Sequence, residues 1–245
     1  MLFRSSVAEF AEVINDALRD GIPRGLWVRG EIQSLNERAP HIYFNIVDDR
    51  PGERAQLRVQ LFAPQRRRID PMLARAGVRL ENGIRVRISG TVDFWAQGGL
   101  IGMKMSDIDP RFTLGDMQAS RDAVVKKLKV AGLYDENRER ELPELPLRVG
   151  VITSVGTAAW HDVMSRFEES GLPFQLKVAN VRVQGDGAVP QIVNALWSLG
   201  SRDDVDVIMM IRGGGSKTDL ACFDAEEIAV AIAQCSVPEI GRAHV

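Results

Sequence analysis

Metal-binding and disulfide-forming residues are scarce in this sequence. Its 245 residues include two cysteines and three histidines. Cys222 and Cys235 are thirteen positions apart, a separation that fits neither a zinc site nor a disulfide framework. We expect both cysteines to be reduced thiols packed in a core, and we expect no metal site.

Long apolar runs and nucleotide-binding fingerprints are also absent. No apolar run is long enough to span a bilayer, and Glu9 and Glu12 interrupt the apolar stretch where a signal peptide would be uncharged. Neither the Walker pattern GxxxxGK(S/T) nor the dinucleotide pattern GxGxxG occurs. The sequence therefore predicts no membrane partner and gives no support for nucleotide hydrolysis by a P-loop.

Charge is distributed unevenly along the chain. The net charge is −2, but residues 54–87 hold nine arginines and two acids, so this segment carries +7 and the remainder −9. A basic segment on an acidic chain is a candidate nucleic-acid footprint, although a solvated charged surface has the same composition. Apolar residues make up 45% of the chain and charged residues 26%, as in ordinary globular domains.

Residues 25–110 have the pattern of short strands. They follow an amino-terminal segment, 1–24, in which Ser6 and Glu9 have capping-box spacing and predict a helix over Ser6–Gly21. Five alternating runs without a long helix between them come next: LWVRGEIQSL, HIYFNIVDD, AQLRVQLFA, IRVRISGTVDFW and LIGMKMSDI. Five such strands predict a small closed barrel of the OB-fold type.

A barrel of this type binds single-stranded nucleic acid through a strand face. That face combines basic side chains with aromatic rings that stack on bases. The candidates for this role are Arg29, Tyr43, Arg58, Phe62, Arg66, Arg67 and Trp95. Because side chains alternate between the two faces of a strand, some of the aromatic residues fill the barrel instead, and the period alone does not assign each one.

Residues 147–238 alternate between strand and helix. Strands are predicted at RVGVITS, FQLKVANVRV and VDVIMMI, and helices at Ala158–Glu169, Val189–Leu199 and Phe223–Cys235. This order predicts a parallel, doubly wound sheet. The overall class is therefore α+β, with an amino-terminal five-stranded OB-fold barrel followed by a parallel α/β domain. Residues 111–146 join the two through a helix and a charged linker that contains proline.

The run RGGGS follows the third of these strands. Arg212 stands at the carboxyl end of the strand, and Gly213, Gly214, Gly215 and Ser216 follow it. Parallel sheets bind ligands at this edge, glycines let backbone N–H groups approach an anion, and arginine is a permanent cation suited to phosphate. The run is predicted to be a phosphate-binding loop. A mobile turn with a solvated arginine is the alternative.

The first strand of the α/β region ends in small and hydroxylated residues, TSVGT, at the same predicted edge. On the helix that follows, Asp162 points away from the apolar stripe of Trp160, Val163, Met164 and Phe167. A carboxylate in this place can orient water or act as a general base near a phosphate. A solvated helix acid is the alternative.

Three blocks together resemble a known family, the exodeoxyribonuclease VII large subunit. LWVRGEIQSL with HIYFNIVDD is similar to its amino-terminal OB-fold. LKVAGLYDENRERELPELPLRVGVITSVGTAAWHDV is similar to its linker and its first catalytic strand and helix. VQGDGAVPQIVNAL and IRGGGSKTDLACFDAEEIAVAI are similar to the rest of its catalytic core. The resemblance extends over residues 3–238.

The resemblance implies a bacterial cytoplasmic nuclease that degrades single-stranded DNA from both ends to oligonucleotides. It implies hydrolysis with no obligatory metal or other cofactor, and assembly with several small subunits. By the match of motifs it implies that Asp162 and Arg212 are catalytic residues.

The sequence departs from the family at two places. After RGGGS the family has an acid, then Asp-Leu-Trp and Phe-Asn, whereas this chain has Thr218, then Asp219-Leu220-Ala221 and Phe223-Asp224. The family also continues past Pro238 into a further strand, a GHExD motif and the helical region that binds small subunits. We therefore expect a carboxyl-terminally truncated and impaired fragment. Residues 239–245, EIGRAHV, back-translate to a common sequencing adapter, so this tail is predicted to be non-native. A genuine, divergent carboxyl terminus is the alternative.

Two functions from other classes stay open. A non-catalytic single-stranded nucleic-acid-binding protein needs only the barrel and the basic segment. A small-molecule α/β enzyme would use the glycine loop for a nucleotide, although the sequence has no fingerprint for one.

Overall fold

The computed structural model describes residues 6–23, 25–50, 53–185 and 187–243. The chain forms two compact units, Met1–Met117 and Gln118–Val245, and the boundary between them falls inside a long helix, Pro110–Val130.

The first unit is a closed barrel. Its elements are α1 (Val7–Gly21), β1 (Trp27–Arg38), β2 (His41–Arg50), β3 (Glu53–Leu61), α2 (Ala63–Ala76), β4 (Arg85–Trp95), β5 (Leu100–Ile108) and the start of α3 (Pro110–Val130). The strand order is β1-β2-β3-β5-β4, and β4 pairs with β1 to close the barrel. The β3–β5 pair is parallel and the other four pairs are antiparallel. The predicted five-stranded OB-fold barrel is confirmed.

Side chains alternate across the barrel wall. In β2, Ile42, Phe44 and Ile46 are buried, whereas Tyr43 and Asn45 are partly exposed. Apolar residues from all five strands meet in a single core cluster, which burial of apolar surface stabilises. The outer face is therefore left to polar, basic and aromatic side chains.

Helix α2 contradicts the prediction of a barrel without an intervening long helix. It begins beside Pro64, a residue tolerated in the first turn, and ends at Gly77, whose φ of 71° suits the left-handed C-cap. Ile69 and Leu73 are buried four residues apart and join the barrel core. The three consecutive arginines before Ile69 obscure this helical period in the sequence.

Helix α1 begins with the predicted capping box. Ser6 Oγ accepts a hydrogen bond from the Glu9 N–H (3.2 Å), and the Ser6 N–H donates to Glu9 Oε2 (2.6 Å). Asn15 then fastens the helix to β4, because its amide bonds both the N–H and the C=O of Phe94, at 2.7 and 3.1 Å.

The second unit is a parallel sheet with helices on both faces. Its elements are the end of α3, then β6 (Arg148–Thr153), α4 (Ala158–Glu169), β7 (Gln175–Asn180), α5 (Ala188–Gly200), β8 (Val207–Arg212), α6 (Lys217–Leu220), a 3-10 helix (Ala221–Asp224), α7 (Glu226–Gln234) and β9 (Glu239–Ala243). The strand order is β7-β6-β8-β9, and every pair is parallel. The predicted parallel sheet is confirmed.

Two separate core clusters lie on the two faces of this sheet. Val151 and Ile211 pack with residues of α4, whereas Ile152 and Ile208 pack with α5 and α7. Consecutive residues of a strand point to opposite faces, so the two clusters show helices on both sides. This is the doubly wound arrangement that the sequence predicted.

Three details differ from, or add to, the sequence prediction. The helix predicted over Phe223–Cys235 begins at Glu226, because Ala225 is extended and a 3-10 turn precedes it. Residues 239–243 form β9, paired with β8. The charged segment within 111–146 is fastened to this unit, since Asn137 bonds the N–H and C=O of Glu239 and Arg140 donates to the Ala233 carbonyl.

Candidate functional site

The carboxyl ends of three neighbouring strands carry connected loops. The Val155 N–H, after β6, donates to Asn180 Oδ1 at the end of β7 (3.0 Å). Arg212, at the end of β8, donates to Gln184 in the β7–α5 loop (2.8 Å). Hydrogen bonds therefore connect the loops along the sheet edge that is predicted to bind a ligand.

Arg212 is buried at this edge, with 5% of its surface exposed. Its Nη2 donates to Gln184 Oε1 and lies 3.7 Å from Asp219 Oδ2. Its Nη1 is buried and has no hydrogen-bond partner among the described residues. A buried donor without an acceptor is costly, so this guanidinium group is held with one donor unsatisfied. The alternative of a solvated arginine is wrong.

The glycines of the loop have different surroundings. A Cβ on Gly215 would lie 2.6 Å from Arg212 Nη2, 2.8 Å from Nη1 and 2.9 Å from Asp219 Oδ2, so a side chain there would displace the ends of both side chains. A Cβ on Gly214 would meet nothing within 4 Å. A Cβ on Gly213 would lie 3.5 Å from the Cβ of Ala159 in α4. Gly215 is therefore required by the arginine, whereas Gly214 borders open space.

Ser216 and Asp219 were not predicted as partners. The Ser216 N–H donates to Asp219 Oδ2 (2.8 Å), and Ser216 Oγ accepts from the Asp219 N–H (3.0 Å), which makes a capping box for α6. The S-x-x-D spacing was a visible signal for this cap. The bond from Arg212 to Gln184 spans 28 positions and has no signal in sequence spacing.

Asp162 lies in α4, on the other side of the glycine loop. It is exposed and stands three residues after Ala159, so both occupy the same face of the helix. Ala159, one helical turn before Asp162, is the residue of α4 that lies against Gly213. No ion pair or hydrogen bond joins Asp162 to Arg212 in the described structure. The two predicted catalytic residues therefore lie on elements that pack together, β8 and α4, and no hydrogen bond or ion pair joins their side chains in the described structure.

This edge combines groups suited to one kind of chemistry. Arg212 and backbone N–H groups can stabilise negative charge that develops on a phosphate, and an exposed carboxylate can take a proton from water. Within the described ranges, no group of three or more His, Cys, Asp and Glu side chains could hold a metal ion. Across the same residues, no helix has the length and apolar composition needed to cross a membrane.

The outer face of the barrel brings together two of the predicted nucleic-acid contacts. Tyr43 pairs with Gln60, and Arg58 pairs with Asn45 across the same two strands. Tyr43 and Arg58 are therefore diagonal neighbours on one face, roughly 7–8 Å apart at their backbones. Arg58 is exposed and also lies opposite Gly102 of β5, so the surface on that side of it carries no side chain. A ring and a cation so placed suit a base and its phosphate.

The other candidates occupy different surroundings. Arg66 does not offer an unpaired charge, because its guanidinium bonds both Glu37 and Asp70. Phe62 precedes α2 and packs edge-on against His41, with 5.3 Å between ring centroids. Trp95 is 53% exposed at the end of β4. Arg29 and Arg67 are exposed.

The basic segment is partly neutralised. Arg85 pairs with Asp116 and Arg87 with Asp109, in addition to the two acids on Arg66. Burial would raise the pKa of Asp109, but hydrogen bonds from Arg87 and the Arg111 N–H outweigh it and hold that pKa below its ordinary value. The side chain of Arg54 lies outside the described residues. Fewer arginines therefore offer an unpaired positive charge to a ligand than the composition of residues 54–87 predicts.

Comparison with known proteins agrees with the two units. Residues 5–109 match the family model described as an OB-fold nucleic acid binding domain, and residues 133–241 match that described as exonuclease VII, large subunit. One solved structure, the mitochondrial single-stranded DNA binding protein Rim1 of S. cerevisiae, covers 34% of this chain and 88% of its own at 13% identity and a TM-score of 0.26. The barrel assignment rests instead on strand order and on the family model.

Curated relatives match almost the whole chain. The exodeoxyribonuclease 7 large subunit of Corynebacterium glutamicum is 35% identical over 93% of this chain and 53% of its own length. That of Desulforudis audaxviator is 33% identical over 96% of this chain and 55% of its own. The chain thus spans about half the length of these relatives. The exonuclease VII family model and these relatives agree that the chain is similar to exonuclease VII large subunits.

Proposed function

We propose that this chain supplies the strand-binding barrel and a phosphodiester-cleaving edge of a cytoplasmic nuclease. The substrate is single-stranded DNA, which the enzyme hydrolyses from both ends to oligonucleotides. The observation that carries this proposal is the burial of Arg212 and its unsatisfied hydrogen-bond donor. It is a buried cation at the carboxyl edge of a parallel sheet, and its Nη1 has no hydrogen-bond partner among the described residues.

The barrel holds the strand through its outer face. Arg58 would contact the backbone phosphate and Tyr43 would stack on a base, a combination that binds single strands with little sequence preference. Each phosphate contact releases counterions, so affinity falls as salt rises.

The α/β edge performs the hydrolysis. A water oxygen forms a bond to phosphorus while one ester P–O bond breaks. Asp162 accepts the proton that the water loses, and the leaving oxygen takes a proton from solvent to become a hydroxyl group. Arg212 Nη1 and the N–H groups of residues 213–215 donate to the phosphate oxygens, where negative charge accumulates. The scissile phosphate would lie over the glycine loop, between Arg212 and the helix that carries Asp162.

Cofactor use and assembly are proposed from the similarity to exonuclease VII large subunits. The proposed reaction needs no obligatory divalent metal, and the enzyme works together with the small subunits of the family. Activity in excess EDTA tests the first statement, and co-purification with a small subunit tests the second.

Cleavage and binding measured on the same samples test the function. Single-stranded DNA labelled at either end is incubated with the chain, with Asp162→Asn, and with Glu168→Gln, a matched exposed acid on the same helix. Because the chain is expected to be impaired, we expect the parent and Glu168→Gln to shorten the strand only slowly. Asp162→Asn should give no products, although its binding to DNA remains. Equal cleavage by Asp162→Asn would overturn the assigned role of Asp162.

A second candidate is a non-catalytic single-stranded nucleic-acid-binding protein. The separation of Asp162 from Arg212 favours it, because the described structure does not bring the two side chains into contact. In that case the parent binds the labelled strand and releases no products, with or without added metal.

A further inference from the structure

Both contacts to the Arg212 guanidinium fall on one nitrogen. Gln184 Oε1 accepts from Nη2 at 2.8 Å, and Asp219 Oδ2 lies 3.7 Å from the same atom. Nη1 has no partner among the described residues. Because a guanidinium group is a rigid planar fork, contacts to Nη2 determine where the Nη1 hydrogens lie.

The two acceptors are themselves fixed. Asp219 accepts from the Ser216 N–H at 2.8 Å, and its own N–H donates to Ser216 Oγ at 3.0 Å. Gly215 brings backbone directly against the guanidinium, where an added Cβ would be 2.6 Å from Nη2. The arginine is thus enclosed by the loop backbone, an amide and a carboxylate, and its Nη1 is buried without an acceptor among the described residues.

We propose that Gln184 and Asp219 are positioning residues, which hold Nη2 so that Nη1 is the donor for a phosphate oxygen. This inference rests on the proposed function, because it assigns a phosphate group to that donor. Fixing the fork in advance removes the entropy cost of ordering a long side chain when the phosphate binds. Asp219 in addition compensates the burial of the cation.

Substitution of Gln184 tests the orientation of the Arg212 guanidinium without removing a charge, because glutamine is uncharged. Gln184→Met keeps the length of the side chain and removes the acceptor. The matched control is Gln191→Met, since Gln191 Oε1 accepts from the Arg182 N–H (3.0 Å) in the same loop region and does not touch Arg212. Gln184→Glu is the conservative variant, which keeps an oxygen acceptor but adds a charge.

Nitrogen-15 NMR of arginine guanidinium groups in the 245-residue chain gives a readout independent of activity. We expect separate, slowly exchanging Nη signals for Arg212 in the parent, in Gln191→Met and in Gln184→Glu, and their loss in Gln184→Met. Titration with the dinucleotide pdTpdT should shift these signals. Its affinity should fall about tenfold in Gln184→Met, as expected for losing a hydrogen bond to a charged group. It should also fall in Gln184→Glu, where the added carboxylate competes with phosphate.

The outcomes separate the inference from the function on which it rests. Ordered Nη signals and unchanged dinucleotide affinity in Gln184→Met would overturn the positioning role alone. Arg212 signals that do not respond to the dinucleotide in the parent would overturn the phosphate role of Arg212, and this inference with it. Equal losses in Gln184→Met and Gln191→Met would show a structural effect and would also contradict it.

Discussion

The two units place their candidate functional side chains by different means. In the barrel, Tyr43 and Arg58 reach the outer face because strand register puts them there, and backbone pairing alone fixes their positions. In the α/β unit, Arg212 is held by the side chains of Gln184 and Asp219 and by close packing against Gly215. Function in the barrel should therefore tolerate single substitutions nearby, whereas function at the α/β edge should depend on each contact.

The largest expected effect comes from adding one methyl group beside Arg212. Gly215→Ala would place its Cβ within 3 Å of three polar atoms at the ends of the Arg212 and Asp219 side chains. Displacing these ends should cost about 1–3 kcal/mol of unfolding free energy. Gly214→Ala, whose Cβ meets nothing within 4 Å, should change stability by less than about 1 kcal/mol. Urea unfolding of both variants checks this. Equal stability of the two would mean that the loop does not enclose the arginine.

The second largest expected difference between the two units is the pH dependence of their stability. Burial raises the pKa of Glu239 in the α/β unit to about 7, from an ordinary value of 4.5. The folded chain therefore binds this proton more tightly, so the contribution of Glu239 to stability is full below pH 4.5 and is lost as the pH rises through 7. Asp109 in the barrel has the opposite sign, because its lowered pKa gives stability that is lost as the pH falls.

Glu239→Gln tests this difference. It should raise the unfolding free energy by roughly 2 kcal/mol at pH 8 and leave it unchanged at pH 4. Hydrogen exchange of amides in β8, compared with amides in β3, shows which unit responds. An equal gain at both pH values would contradict the assigned titration.

Substitutions on the barrel face should have smaller effects, on binding. Tyr43→Ala should weaken binding of oligothymidylate by about 1–2 kcal/mol through lost stacking. Arg58→Ala should lower the salt slope by about one unit. Arg66→Ala should leave the slope nearly unchanged, because two carboxylates already pair with Arg66. Fluorescence anisotropy at several salt concentrations measures the binding of all three variants. Equal salt slopes for Arg58→Ala and Arg66→Ala would contradict the inference that paired arginines do not contribute to DNA binding.

The smallest expected effect comes from the helix-capping box, a motif that is present in both units. Ser6 and Ser216 each cap a helix with a reciprocal box, so replacing either with alanine should cost about 1 kcal/mol. Ser216→Ala should also weaken binding of pdTpdT, since it releases Asp219 beside Arg212, whereas Ser6→Ala should not. Thermal unfolding together with dinucleotide titration measures both quantities. A loss of affinity in Ser6→Ala would show a general effect of destabilisation.

The sequence predicted much of this architecture because its signals are local. Alternation identified all five barrel strands, and strand-end glycines identified the Arg212 loop. Helix α2 was missed because the arginines before Ile69 hide a short apolar period. The pairing of Arg66 with Glu37 spans 29 positions, and that of Arg212 with Gln184 spans 28. Such contacts arise from tertiary packing, so composition and spacing gave no sign of which charges are neutralised.

The most direct test of the central claim is an amide NMR titration of the chain with a short oligothymidylate. If the barrel face holds the strand and the glycine loop binds a phosphate, the N–H signals of Asn45 and Arg58 should shift together with those of residues 213–216. Shifts confined to the barrel would contradict the account and would identify a protein that binds single strands without a phosphate site at Arg212.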